Sequence, residues 1–343
     1  MAQDRLDWTE IGSASCPFNA SVCLNTGIDA NVRLETPFIP VSDLGINAAT
    51  KLQMKRSLTC SVLNTEAFQE PAKQGLEDVE FTLVFGTHEN YEYDVRDLST
   101  VAPGYRLTTI PQTASNPPAL DSRLRVPGGF VTVVLLQAPG VYFPKSVNDP
   151  MFSAHQAHIF PTSGLRWAAD NVVGVAGCVD QYLICNNATG GCSSWASPED
   201  LLTVTVSDNA PLIKSAADQR ALDMLQYVLT STSLQYTITG RGSSALAAQR
   251  ALQSQNQERL SPRPWKEEVN TWFGVSLAKL QMSVLSIAYP TPFLSTDAFA
   301  AFPASSYTDQ LCKMIKSREG GYTNLHWPGF IATLVVSCVV GAA

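Results

Sequence analysis

Basic charge is scarce in this chain: 23 Lys plus Arg stand against 30 Asp plus Glu, the net charge is -7, and charged residues make up only 15% of 343. Without a basic patch there is no electrostatic footprint for a phosphate backbone, which excludes nucleic acid as a partner. Histidine is scarcer still, with four residues. Only His155 and His158 lie close together; with Asp149 they would suit zinc or iron if the segment were helical, but it is bounded by proline and carries no helical stripe. No C-x2-C pair occurs, so neither a zinc ribbon nor a dithiol redox motif is present. Dinucleotide and P-loop glycine patterns are missing, as is the G-x-S-x-G elbow, so nucleotide binding and α/β-hydrolase chemistry have no motif. Ser276–Lys279 and Ser207–Asn209 match S-x-x-K and S-D-N, but in reversed order and without K-T-G, and a surface pair on a helix is the plainer reading. The sequence therefore assigns no catalytic residue, no metal ligand and no cofactor.

What is present is an apolar-leaning chain, 45% hydrophobic with mean hydropathy of +0.01, which marks a folded body. The first 70 or so residues read as loops around short extended pieces. Alternating runs follow at Val79–Phe85 and Tyr91–Val95, with His88–Asn90 in the turn of an expected hairpin, then at Tyr105–Ile110, Phe130–Leu136, 165–168, 172–175, Cys178–Ile184 and Leu201–Val206. Beyond residue 207 the periodicity changes. Ser215 can cap a helix over Ala216–Leu229 with Ala221, Leu222, Leu225, Val228 and Leu229 on one face, and a second helical run covers Ser244–Gln257. Pro264 opens a third, whose Trp265, Val269, Trp272, Leu277, Leu280, Val284 and Ile287 form a stripe at helical spacing. A short helix is expected over Asp309–Arg318. The predicted fold class is α+β: a β-rich, cysteine-containing part over 1–207, a helical part over 208–320 that can share its core, then a truncated transmembrane helix.

That last segment, 327–343, holds 17 uncharged residues, slightly short of the roughly 20 that span a bilayer core. It reads as a membrane helix cut short where the sequence stops, with Tyr322 and Trp327 at the interface; a buried helix or strand is the alternative. The first residues lack the apolar region of a signal peptide, so translocation information lies upstream or the body stays in the cytosol. Lys313, Lys316 and Arg318 favour a cytosolic flank.

Eight cysteines occur, at 16, 23, 60, 178, 185, 192, 312 and 338. Their setting among Asn, Gly, Ser and Pro suits disulfides in an oxidising compartment. Cys185 to Cys192 reads as a turn whose ends can be bridged, contributing about 2 kcal/mol. The candidates are Cys16, Cys23, Cys60, Cys178, Cys185, Cys192 and Cys312; Cys338 lies in the apolar run, so at least one of these seven stays unpaired, Cys312 being the first suspect. The expected partners are Cys16 with Cys23 and Cys178 with Cys185 or Cys192, with connectivity open. The alternative is that all are reduced and buried. Asn19 and Asn187 head N-glycosylation sequons beside these cysteines, although chance alone yields about two or three such matches in this composition. Trp167, Tyr182 and Trp195 can be read as a sugar-stacking platform or, more plainly, as core aromatics.

Three segments carry a family resemblance: Cys16-Pro-Phe with Cys23 and Asp43-Leu-Gly-Ile-Asn47; Cys178-Val-Asp-Gln-Tyr-Leu-Ile-Cys185-Asn186 with Cys192; and Trp272-Phe-Gly-Val-Ser-Leu-Ala-Lys-Leu-Gln281. From about residue 14 onward the chain resembles a group of uncharacterised membrane proteins of filamentous fungi. There the cysteine-bearing region lies between N-terminal membrane segments and a C-terminal span. The resemblance implies an exported body and carries over no functional residue. The expectation is a non-catalytic, membrane-anchored extracytoplasmic domain at the cell surface or in the secretory pathway, with an interaction or sensing role and a protein or cell-wall glycan partner. Two alternatives stay open: a hydrolase of cell-wall or secreted substrates whose site is assembled from distant residues, and a cytosolic tail-anchored protein.

Overall fold

A computed structural model describes residues 6–24, 29–73, 78–97, 101–112, 119–161, 164–202 and 211–288. Its centre is an antiparallel sheet of β1 (Thr9–Glu10), β2 (Asn31–Glu35), β4 (Leu52–Leu63), β13 (Gly174–Asn186), β9 (Phe130–Gln137) and β8 (Arg106–Pro111), in that spatial order, with β3 (Ile39–Pro40) on the flank of β4. Strands β4 and β13 pair along 12 residues, from Val175 opposite Leu63 to Asn186 opposite Leu52. Side chains alternate across the pleat, and both faces are covered. Leu52, Met54, Leu58, Cys60 and Val62 face one side with Ala176, Cys178, Tyr182 and Ile184, and join the cluster that includes the helices. Leu63, Val131, Val133, Leu135, Val175 and Val179 face the other. There they meet Leu83 and Val95 from the three-stranded sheet β5 (Gln69–Pro71), β6 (Val79–Val84) and β7 (Glu92–Arg96), and Phe85 just after β6. The hairpin expected around His88–Asn90 is the β6–β7 pair.

Helices α1 (Ala216–Ser231), α2 (Leu234–Thr239) and α3 (Pro264–Ala288) form the layer on the first face. Ser215 and Asp218 close a capping box on α1, each side chain bonding the other residue's backbone amide. Every apolar residue predicted for its inner face is buried, as are Trp265, Val269, Trp272, Leu277, Leu280 and Val284 of α3. One hydrophobic cluster draws on both the β-rich part and these helices. A separate small sheet, β11 (Gln156–Phe160), β12 (Gly164–Ala168), β10 (Tyr142–Phe143), β15 (Asn256–Gln257) and β14 (Leu252–Gln253), completes the body.

Three expectations of local structure need correction. Residues 52–63 are a central strand and not loop: Arg56 interrupts an otherwise apolar alternation, and its charge is matched from the neighbouring strand. The run 244–257 is not a helix but two 3-10 turns, Gly242–Ala245 and Ala248–Ala251, leading into the β14–β15 hairpin. It has no apolar stripe to hold a helix against the core. At 200–202 a 3-10 turn replaces the start of the expected strand, whose remainder lies outside the described residues. The apolar run 327–343, the helix expected over 309–318, Cys312 and Cys338 lie outside them too. Among the described residues no helix is long and apolar enough to cross a membrane.

Three disulfides join Cys16 to Cys23, Cys60 to Cys178 and Cys185 to Cys192. The local pairs follow the spacing expectation. Cys178 does not reach Cys185 or Cys192, because seven residues of extended strand separate Cys178 from Cys185 by about 23 Å and put the two on opposite faces. It pairs instead with its register partner Cys60 on β4, with a Cα separation of 4.0 Å. The Cys16–Cys23 loop carries Phe18, whose ring packs on Gly177 of β13 so closely that a Cβ there would stand 2.5 Å from it. That staple therefore pins a loop onto the central strand.

Candidate functional site

The His155, His158 and Asp149 cluster does not form. His155 Nδ1 lies 2.6 Å from Asp170 Oδ2 and Nε2 lies 2.7 Å from Asn148 Oδ1. Ser153 also donates to Asp170 and lies 3.4 Å from Nδ1. A histidine that activates a serine needs the carboxylate on one ring nitrogen and the hydroxyl on the other. Here both occupy the Nδ1 side, so the arrangement orders a loop. His158 is an odd number of residues away in an extended segment and packs against Tyr142, with ring centroids 5.6 Å apart. Among the described residues no group of three His, Cys, Asp or Glu could hold a metal ion.

Asp149 is buried beneath the start of α3. Its Oδ1 accepts the amides of Met151 and Phe152, and its Oδ2 accepts the Trp265 N–H at 3.2 Å, one of the first-turn amides that α3 cannot satisfy internally. Burial nevertheless pushes its pKa above the usual carboxylate range. A cleft of about 570 Å³ opens beside it, lined by Phe143, Lys145, Glu258, Arg259 and Pro264 among others.

A second buried carboxylate, Glu268, sits one turn further along α3. Its Oε2 accepts the Ala247 N–H at 2.6 Å and its Oε1 the Ala248 N–H at 2.8 Å. Gln257 ties the same segment down by donating to the Ala248 and Arg259 carbonyls, and accepts in turn from the Tyr105 hydroxyl at 2.9 Å. Burial pushes Glu268 up to about 7, against the pull of the two amides.

Both carboxylates are thus held as backbone acceptors, and ionising Glu268 opposes folding. Between its ordinary 4.5 and about 7 the folded chain holds a proton that the unfolded chain releases, so stability falls as pH rises through that window. Glu268→Gln, which cannot ionise, should gain on the wild type by up to about 3 kcal/mol between pH 4.5 and 8. Urea unfolding at several pH values reads this difference, and a pH-independent offset would refute it.

The strongest charge constellation is one that sequence reasoning missed. Arg56 on β4 and Asp180 on β13 are both buried on the helix side of the central sheet, and pair through Nε–Oδ1 at 2.8 Å and Nη2–Oδ2 at 2.6 Å. Arg56 Nη1 donates to the Ser276 hydroxyl at 2.8 Å, which donates onward to the Phe273 carbonyl at 2.7 Å. The guanidinium lies between the rings of Tyr182 and Phe273, 5.4 and 5.1 Å from their centroids. Burial opposes its charge, and Asp180 more than offsets that, so its pKa is raised. Asp180 also accepts the Leu234 N–H at 3.3 Å, which fixes the start of α2. Ser276 is thereby committed, and Lys279 donates to the Tyr236 carbonyl at 3.1 Å, so the S-x-x-K match is no catalytic pair. Ser207–Asn209 lies outside the described residues. A sequence signal exists only at alternate positions: Arg56 among Leu52, Met54, Leu58, Cys60 and Val62, and Asp180 among Ala176, Cys178, Tyr182 and Ile184, are single charges of opposite sign.

Next to this network the start of α2 meets the ends of β8 and β9. A cavity of about 220 Å³ opens there, lined by Gln112, Phe130, Pro198, Glu199, Ser233 and Tyr236 among others. Phe130 is the register partner of Asp180, and Ser233 precedes the Leu234 amide that Asp180 holds, so the ion pair positions two walls. The platform suggested by Trp167, Tyr182 and Trp195 is not built, because Tyr182 is wholly buried over Arg56. Asn19 and Asn187 are both exposed, each in a loop closed by a disulfide. No family model, curated protein or solved structure matches the chain.

Proposed function

We propose that the protein is a non-catalytic, membrane-anchored extracytoplasmic domain that acts by binding, at the surface or in the secretory pathway of a filamentous fungus. The observation that carries this reading is the set of three intrachain disulfides, one of them buried between central strands. Such bonds persist in oxidising compartments and are rare in the cytosol. Exposed sequons at Asn19 and Asn187 are consistent with the same compartment, and the apolar run 327–343 would supply the anchor. Binding is favoured over hydrolysis because Asp149, which lines the 570 Å³ cleft, and Glu268, buried nearby on α3, are both engaged by backbone amides.

Thiol alkylation and peptide mapping of the protein from its native host should find Cys16–Cys23, Cys60–Cys178 and Cys185–Cys192 linked, with glycosidase-sensitive mobility. Six alkylatable thiols and an unchanged mobility would instead assign a cytosolic, tail-anchored protein.

A further inference from the structure

The 220 Å³ cavity at the start of α2 is smaller than the roughly 300–1,000 Å³ of a drug-sized pocket, so it suits one end group of a ligand rather than a whole molecule. Its chemistry is one-sided. Glu199 is its one charged lining residue, with Asp200 next in the chain, and neither Lys nor Arg lines it. Among the described residues the Glu199 carboxylate makes no hydrogen bond or ion pair, and partial burial with the Asp200 charge pushes its pKa up. The Lys279 ammonium donates to the Tyr236 carbonyl at 3.1 Å. Ser233 is 2% exposed, and its hydroxyl is buried with no hydrogen-bond partner. An unmet buried hydroxyl carries a desolvation cost that a ligand can relieve. Phe130, Tyr236 and Pro198 supply apolar and aromatic surface that packs against an alkyl chain and favours a cation. Gln112 Oε1 already accepts the Val131 N–H at 3.2 Å and keeps a second lone pair.

We propose that this cavity binds a primary alkylammonium group, the end of a free diamine or of a protein lysine, with its three N–H donors shared among Glu199, Ser233 and Gln112. A neutral sugar would leave the carboxylate uncompensated, and a carboxylate ligand would be repelled by it. This deepens the binding reading and rests on it only in treating the body as a binder. Disulfide mapping tests the compartment and amine titration tests the cavity, so each can fail alone.

Titration of the full chain by calorimetry with cadaverine and with Nα-acetyl-lysine amide, against neutral pentanol, reads the proposal directly. Both amines should bind and pentanol should not; the tighter amine identifies the source. Glu199→Gln should weaken binding about tenfold or more, and Ser233→Ala a few-fold, as loss of a charge-assisted and a neutral hydrogen bond. Circular dichroism and unfolding midpoints check that each variant is folded, and Glu199→Asp should recover part of the affinity. Absence of binding by both amines at millimolar concentration overturns the proposal. So does equal binding of pentanol, or an unchanged affinity in folded Glu199→Gln.

Discussion

Replacing Cys60 and Cys178 together by alanine should cost about 5 kcal/mol, more than removal of either other disulfide among the described residues. The bond closes a loop of 118 residues, whereas the other two each close 7. Loop-closure entropy in the unfolded chain grows with the logarithm of that length, which gives about 5 kcal/mol for the long loop and about 2 kcal/mol for each short one. Both cysteines are buried on the helix side of the sheet, so removing their sulfur atoms adds a core defect to the entropic loss. A native domain has only about 5–15 kcal/mol in hand, so the double variant should unfold at much lower urea or fail to fold at 37 °C. Cys185→Ala/Cys192→Ala should remain folded with a modestly lower midpoint. Equal losses for the two double variants would show that the central bond does not constrain the unfolded chain as its loop length requires.

That bond also marks where local pattern stops being informative. The helices α1 and α3 and the β6–β7 hairpin are written in short-range periodicity: the Ser215 cap, the stripe from Trp265 to Val284, the alternation of Val79–Val84. The loops Cys16–Cys23 and Cys185–Cys192 are likewise local, since the partners are near neighbours in the chain. By contrast, the pairing of Cys60 with Cys178 is set by the register of two strands more than a hundred residues apart. Strand β4 was hidden for the same reason. Its Lys55, Arg56 and Ser57 look like the polar interior of a loop until Asp180 is placed across the ladder, in a register that spacing cannot supply. The run 244–257 fails in the opposite direction. Its residues tolerate a helix, but Glu268 takes up the Ala247 and Ala248 amides from α3, and Gln257 at the end of the run takes up the Ala248 carbonyl, which fixes turns instead. The cavity lined by Gln112, Phe130, Glu199 and Ser233 was least legible, because its walls come from four separate stretches of the chain.

Asp180→Ala should destabilise the protein by about 3–5 kcal/mol, because it leaves the Arg56 guanidinium charged and desolvated within the core. The loss goes beyond the pair, since the Leu234 N–H and hence the first turn of α2 lose their acceptor. Replacing both partners by apolar groups of similar size, Arg56→Met with Asp180→Leu, removes the stranded charge. Buried pairs replaced in this way are often neutral or stabilising by about 1–4 kcal/mol, so the double variant should be much more stable than Asp180→Ala. Unfolding of Asp180→Ala, Arg56→Met and the double variant in urea yields the coupling energy as the departure from additivity. Additive losses would mean that the two side chains do not act as one unit. The double variant also separates stability from positioning. With its core intact but no carboxylate holding the Leu234 amide, Ser233 loses the anchor beside it, and cadaverine affinity should fall although the fold survives. If that affinity is unchanged in a folded double variant, the ion pair serves the core alone, and the walls of the cavity are set by α2 itself.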